Sequence, residues 1–187
     1  MKKLLYLTKR NCLVFIRDRG AVFFSLLSML IVLMLMGVFL GNMNEENIVH
    51  LLEEYGGERD IQADKEHAKQ LVQYWTLAGI LIVNSVTVTL TVIGNRVADI
   101  SEGKLASIYS APVHRVTIAL SYVVSAIVIG IFMCTLTLGV AFGYIIATGG
   151  KMLSITALVR TLLLIVLNVC IFSIIMYLAA LFVKSSS

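Results

Sequence analysis

Two sets of side chains in this 187-residue chain have the types and spacing to do chemistry, and in both the chemistry is recognition, with no bond-making. The first is uncharged: Gln73, Thr76, Asn84, Thr87, Thr91 and Asn95 share one side of a helix at ~100° per residue. Such a stripe can line a polar path or a subunit seam. It can equally hydrogen-bond helices together within one subunit, at ~0.6 kcal/mol per contact in lipid. The second set lies in residues 96–115, where Ile100, Leu105, Ile108 and Tyr109 fall at helical spacing beside Glu102, Gly103 and Lys104. Pro112, the only proline, disfavours helix at Ala111 and marks a new start. That pattern gives a short amphipathic helix parallel to the membrane between two spans, a pattern shared by any solvated loop helix.

Catalytic constellations are missing from the same residues. Serines and threonines are plentiful in the apolar runs, but no His, Asp or Glu accompanies them to act as a base. The same absence disfavours a proton-driven transporter, whose relay needs an ionisable group inside the membrane. His50 and His67 have no Cys or His partner at metal-ligand spacing, so no metal is expected. Gly149-Gly150-Lys151 continues into Met152, which does not make a phosphate-binding loop, and no cofactor is expected on this chain. Cys12, Cys134 and Cys170 read as apolar packing residues.

The elements that must position these residues are membrane helices. Four runs, 20–43, 70–95, 116–150 and 161–183, carry no charged side chain. Each exceeds the ~20 residues needed to cross a hydrocarbon core of ~30 Å at ~1.5 Å per residue. In lipid the backbone must bond internally, so runs of this length are helices. The predicted fold is all-α, a polytopic transmembrane bundle with four spans present. Its parts are an interfacial helix (1–19), span 1 (20–43), an external acidic loop (44–69), span 2 (70–95), a cytoplasmic connection (96–115), span 3 (116–148), an external turn and lead-in (149–160), span 4 (161–183) and a cytoplasmic end (184–187). The first run is too long for a signal-peptide core and lacks a small-x-small site at its end.

Charge outside the spans orients them. Lys2, Lys3, Lys9, Arg10, Arg17 and Arg19 precede the first span against only Asp18, whereas residues 44–69 hold eight carboxylates against three cations. By the positive-inside rule both termini and residues 96–115 are cytoplasmic. The net charge of +4 follows from this asymmetry, so no nucleic-acid partner is expected and the lipid bilayer is. Residues 1–19 mix cations with Leu4, Leu5, Leu7, Leu13, Val14 and Ile16, the pattern of a basic helix lying in the interface, with Gly20 available for a sharp change of direction.

Three smaller expectations concern the rest. Ile48, Leu51, Leu52 and Tyr55 give the external loop an amphipathic helix, and residues 61–73 lack breakers and can run as helix into span 2. The third run exceeds one crossing and needs tilt, a break near Gly130 or extension into the cytoplasm. Gly139 and Gly143 form a small-xxx-small motif there, and Arg160 sits just before the fourth run, placed to snorkel outward.

Residues 96–115 also carry a resemblance. Glu102-Gly103-Lys104-Leu105 followed by Ala111-Pro112-Val113 resembles the coupling-helix region of the ABC type-2 exporter permeases, in which an acidic-Gly-x-Leu cluster precedes a small-Pro-hydrophobic step. The order of parts is similar along the whole chain: basic connecting helix, first span, external loop, coupling segment, long third span. The resemblance implies an ATP-driven exporter permease that forms the translocation path and works as a homo- or heterodimer with a separate cytoplasmic ABC ATPase subunit, which binds the ATP. It implies that Ile100, Glu102, Gly103, Lys104, Leu105, Tyr109 and Pro112 form the ATPase contact, and that the chain resides in the plasma membrane of a bacterium. Members of that family generally have six spans, so the resemblance implies a sequence truncated after the fourth. A four-span scaffold or regulatory subunit with no transport activity is the alternative.

Overall fold

The computed structural model describes residues 2–35, 47–48, 50–51, 54, 61–104, 110, 113–147 and 154–182. Nearly all of them fall in five helices: α1 (Lys2–Arg17), α2 (Arg19–Leu35), α3 (Ile61–Ser101), α4 (Arg115–Ala147) and α5 (Ile155–Phe182). The fold is all-α, with no strand among the described residues. Three stretches, Lys65–Ser101, Arg115–Ala147 and Ile155–Phe182, are long and apolar enough to cross a membrane. The first expected span is represented by α2, and its remainder, 36–43, lies outside the described residues.

Helix lengths differ from the uncharged runs in informative ways. The 41 residues of α3 cover about 60 Å at ~1.5 Å each, twice the hydrocarbon thickness. It starts at Ile61 as the breaker-free sequence suggests, and it continues past Asn95 to Ser101, into the segment expected as a connection. Uncharged runs mark what lipid tolerates, whereas helix continues wherever no residue stops it. Helix α4 runs unbroken through Gly130, so tilt or extension takes up its length and a break does not. Helix α5 begins at Ile155 behind Ser154, whose Oγ accepts the Ala157 N–H (3.3 Å) and whose carbonyl accepts the Leu158 N–H (2.9 Å), an N-cap that encloses Arg160 within the helix. Of the amphipathic helix expected in the external loop, Ile48 and Leu51 are helical, Ile48 half-buried and Leu51 exposed, while Leu52 and Tyr55 lie outside the described residues.

Between α1 and α2 only Asp18 is non-helical. The Asp18 N–H donates to the Val14 and Phe15 carbonyls at 3.1 Å each, and the Val22 N–H donates to the Asp18 carbonyl at 3.1 Å, so hydrogen bonding continues across the junction. Gly20 lies inside α2 and, unlike the expectation of a glycine hinge, does not use a positive φ. One face of α1, carrying Thr8, Asn11 and Phe15, is buried in the bundle.

Two larger apolar clusters and a smaller one, Ile118 with Tyr122, form the core. Phe15 of α1 joins Val88, Val92 and Ile93 of α3, Ala126, Ile129 and Met133 of α4 and Ala180 of α5. A second cluster joins Leu77 and Leu81 to Cys134, Leu138, Ala141, Ile145, Ile165 and Val169. Lipid tails are as apolar as these side chains, so close fit, and no expulsion from water, holds them together. Among the described glycines the closest approach is at Gly130, where a Cβ would stand 2.6 Å from Val169 Cγ1. At Gly139 and Gly143 a Cβ would meet nothing within 4 Å, so the small-xxx-small pair marks no helix contact among the described residues.

Candidate functional site

The segment expected to dock on a partner begins as the last turn of α3. Ile100 is exposed there, and the Glu102 N–H still donates to the Ala98 carbonyl at 2.9 Å. The Gly103 N–H donates to the Ile100 carbonyl at 3.1 Å, a tighter i→i−3 bond, and Gly103 has φ 71°. This left-handed conformation ends helices and suits glycine because no Cβ crowds the following carbonyl. The chain therefore leaves α3 at Gly103. Lys104 pairs with Glu102, both side chains more than half exposed, and the neighbouring carboxylate raises the Lys104 pKa above the usual lysine value. Leu105, Ile108, Tyr109 and Pro112 lie outside the described residues.

One turn before Glu102 the exposed chemistry gives way to a buried polar cluster. Asp99 is only 7% exposed. Its Oδ2 accepts the Tyr122 hydroxyl at 2.6 Å and pairs with Arg10 Nη2 at 3.2 Å. Arg10 also donates to Asn11 Oδ1 (3.3 Å), and Asn11 Nδ2 donates to Ser121 Oγ (3.3 Å). A single carboxylate at the end of α3 thus holds α1 and α4. Three residues earlier Arg96 does the same toward α5: its guanidinium lies 5.0 Å from the Tyr177 ring centroid and donates to the Ala180 carbonyl at 3.4 Å. The last two turns of α3 are tied by charge to α1, α4 and α5.

The uncharged stripe divides. Asn84 is buried and its Nδ2 donates to Thr137 Oγ1 of α4 at 2.6 Å, with Cys134 Sγ at 4.0 Å. Thr87 and Thr91 donate to their own helix, to the Val83 carbonyl (2.9 Å) and the Thr87 carbonyl (2.8 Å). Gln73 and Asn95 are half-buried, and Asn95 Nδ2 is buried with no hydrogen-bond partner among the described residues. Asn84 is therefore a bond across the α3–α4 seam, and the threonines present mainly their methyl sides. The same-helix bonding of threonine is not visible in a pattern that counts polar types.

Arg10, Asn11, Arg96, Asp99, Ser121 and Tyr122 were not singled out as a site by the sequence. Asp99 and Arg96 read as loop charge, and Arg10 as one of six flanking cations. A usable signal was present in part: Asp99 sits between Ala98 and Ile100, and Ser121, Tyr122 and Ser125 cluster within two turns of a mostly apolar helix. What links them is a contact between residues 89 apart, which no local period encodes.

The chain matches the sequence model of a family described as ABC-2 type transporter over residues 2–187. No curated protein and no solved structure matches it.

Proposed function

Because the chain belongs to the ABC-2 type transporter family and is a multi-pass membrane permease subunit, we propose that it serves an ATP-driven exporter whose motor is a separate cytoplasmic ATPase. In this reading both termini face the cytoplasm of a bacterial cell, two permease subunits form the path, and residues 100–112 meet the ATPase. Ile100, Glu102, Gly103 and Lys104 open that contact, and Leu105, Tyr109 and Pro112 complete it. Closure of the nucleotide-bound motors would push on this segment and bias the bundle between two packings, as any two-state element responds to a partner with different affinity for each state.

The single observation that supports it is the position of Asp99. A force applied at Glu102 enters α3 one turn from a carboxylate bonded to α1 and α4 and two turns from a guanidinium bonded to α5. An exposed turn whose root is tied to the bundle can transmit movement, whereas a free loop would absorb it. The test is Glu102→Lys combined with Leu105→Asp, made in the full chain with its co-expressed ATPase. Weakened ATPase co-purification, or hydrolysis uncoupled from transport, is expected with membrane insertion intact. Unchanged transport at matched expression would remove this segment from the contact.

A further inference from the structure

The outward face of α1 meets the site described above only at Arg10, and it is neither a soluble nor an apolar surface. Tyr6, Lys9, Arg10, Leu13, Val14 and Arg17 line an open groove of about 480 Å³ along it. Their spacing of three and four residues puts them on one stripe, about 16 Å long at ~1.5 Å per residue. Cations and apolar groups alternate along the stripe: Lys9 beside Arg10, then Leu13 and Val14, then Arg17. Tyr6 is 76% and Leu13 54% exposed. No carboxylate is among the residues that line the groove, and one of its cations, Arg10, is paired with Asp99. Lys9 and Arg17 are the exposed cations that remain.

We infer that this groove seats anionic phospholipid, with headgroup phosphates at Lys9 and Arg17 and acyl methylenes over Leu13 and Val14. Charge complementarity selects the headgroup: residues 2–19 carry six cations against Asp18 alone. Continuity with the membrane selects lipid over a soluble anion. Only Asp18 separates α1 from α2, whose Phe23, Phe24, Leu30, Ile31 and Met34 are exposed apolar side chains of a helix made almost wholly of such residues. A soluble phosphate would have no use for the exposed Leu13 and Tyr6. A headgroup with its first methylenes uses both kinds of side chain, as basic amphipathic helices do at interfaces.

The full chain can report its own lipid contacts once its single tryptophan is removed by Trp75→Phe and a new one is introduced in the groove by Tyr6→Trp. Reconstituted into bilayers containing dibrominated phosphatidylglycerol or dibrominated phosphatidylcholine, the fluorescence of the introduced indole should be quenched by both, with a preference for phosphatidylglycerol of about fivefold or more. The preference should vanish in Lys9→Gln/Arg17→Gln and persist in Lys9→Arg/Arg17→Lys, which keeps the charge and controls for folding. Excess inorganic phosphate should leave the preference in place. Equal quenching by the two lipids, or a preference removed by inorganic phosphate, would overturn the assignment. So would quenching by aqueous iodide alone, which places the groove in water, or by neither quencher, which places it against protein.

Discussion

Asp99 offers the sharpest perturbation, because one oxygen carries two interactions and each can be removed separately. At the 3.2 Å separation of Arg10 and Asp99, an effective dielectric of ~20 gives an attraction of about 5 kcal/mol before desolvation. Burying the carboxylate offsets much of that, so the pair adds little net stability as it stands. Breaking it is a different matter. Loss of one partner from a buried pair costs about 3–5 kcal/mol, and the Arg10 side chain, 32% exposed, can rehydrate and bring the cost of Asp99→Asn toward the low end, about 3 kcal/mol. The Tyr122 hydroxyl donates to the same oxygen from a residue 2% exposed, and a hydrogen bond to a charged group contributes about 1.5–3 kcal/mol, which sets the expected loss for Tyr122→Phe.

Since both act on Oδ2, their effects should not add. The Asp99→Asn/Tyr122→Phe double variant should lose at least about 1 kcal/mol less than the two single losses together. For a chain of this size 1 kcal/mol corresponds to roughly 2–4 °C in Tm, so Asp99→Asn should melt roughly 6–12 °C lower in a fixed detergent. Thermal unfolding of the four proteins of the cycle supplies the numbers. Losses that add within about 0.5 kcal/mol, or an unchanged Tm for Asp99→Asn, would refute a shared carboxylate at the end of α3.

Two further outcomes follow from the packing. Gly130→Ala places a methyl against Val169, itself fully buried, and should cost about 2 kcal/mol, or roughly 4–8 °C in Tm, with part regained when Val169→Ala is added; an unchanged Tm would show that α4 and α5 are not held at this contact. Burial raises the Cys12 thiol above its usual pKa, so less thiolate is present at pH 8 than at an exposed cysteine; in a chain whose other two cysteines are replaced, alkylation should be slower than that of a model thiol and should accelerate as pH rises, and a rate equal to the model thiol would place Cys12 outside the α1 interface.

The helices were legible because lipid imposes one rule on long stretches: no charge and no unsatisfied backbone. Residues 70–95, 116–147 and 161–182 obey it and are helical. The rule does not act where α3 leaves the hydrocarbon region, and there the helix continued to Ser101, with the left-handed φ of Gly103 just beyond supplying the stop that charge did not. The seams were less legible for a related reason. Without hydrophobic drive, helix pairs are chosen by a few atoms that fit, and type alone does not say which. Gly139 and Gly143 have the recurrent spacing with open space beside them, whereas the isolated Gly130 admits Val169. Asn84 and Thr87 belong to one polar stripe, yet only Asn84 reaches another helix, because a threonine hydroxyl finds a carbonyl of its own previous turn and an asparagine amide does not. Asp99 combines both difficulties. It lies beyond the lipid rule, so its charge looked ordinary, and its partners sit on α1 and α4, so its burial could be seen only after folding. Charged residues at a span's edge therefore divide by what lies across from them. Glu102 and Lys104 pair with each other in the open, where the proposed ATPase contact would find them, while Asp99, three residues before Glu102, is already committed to the bundle that such a partner would have to move.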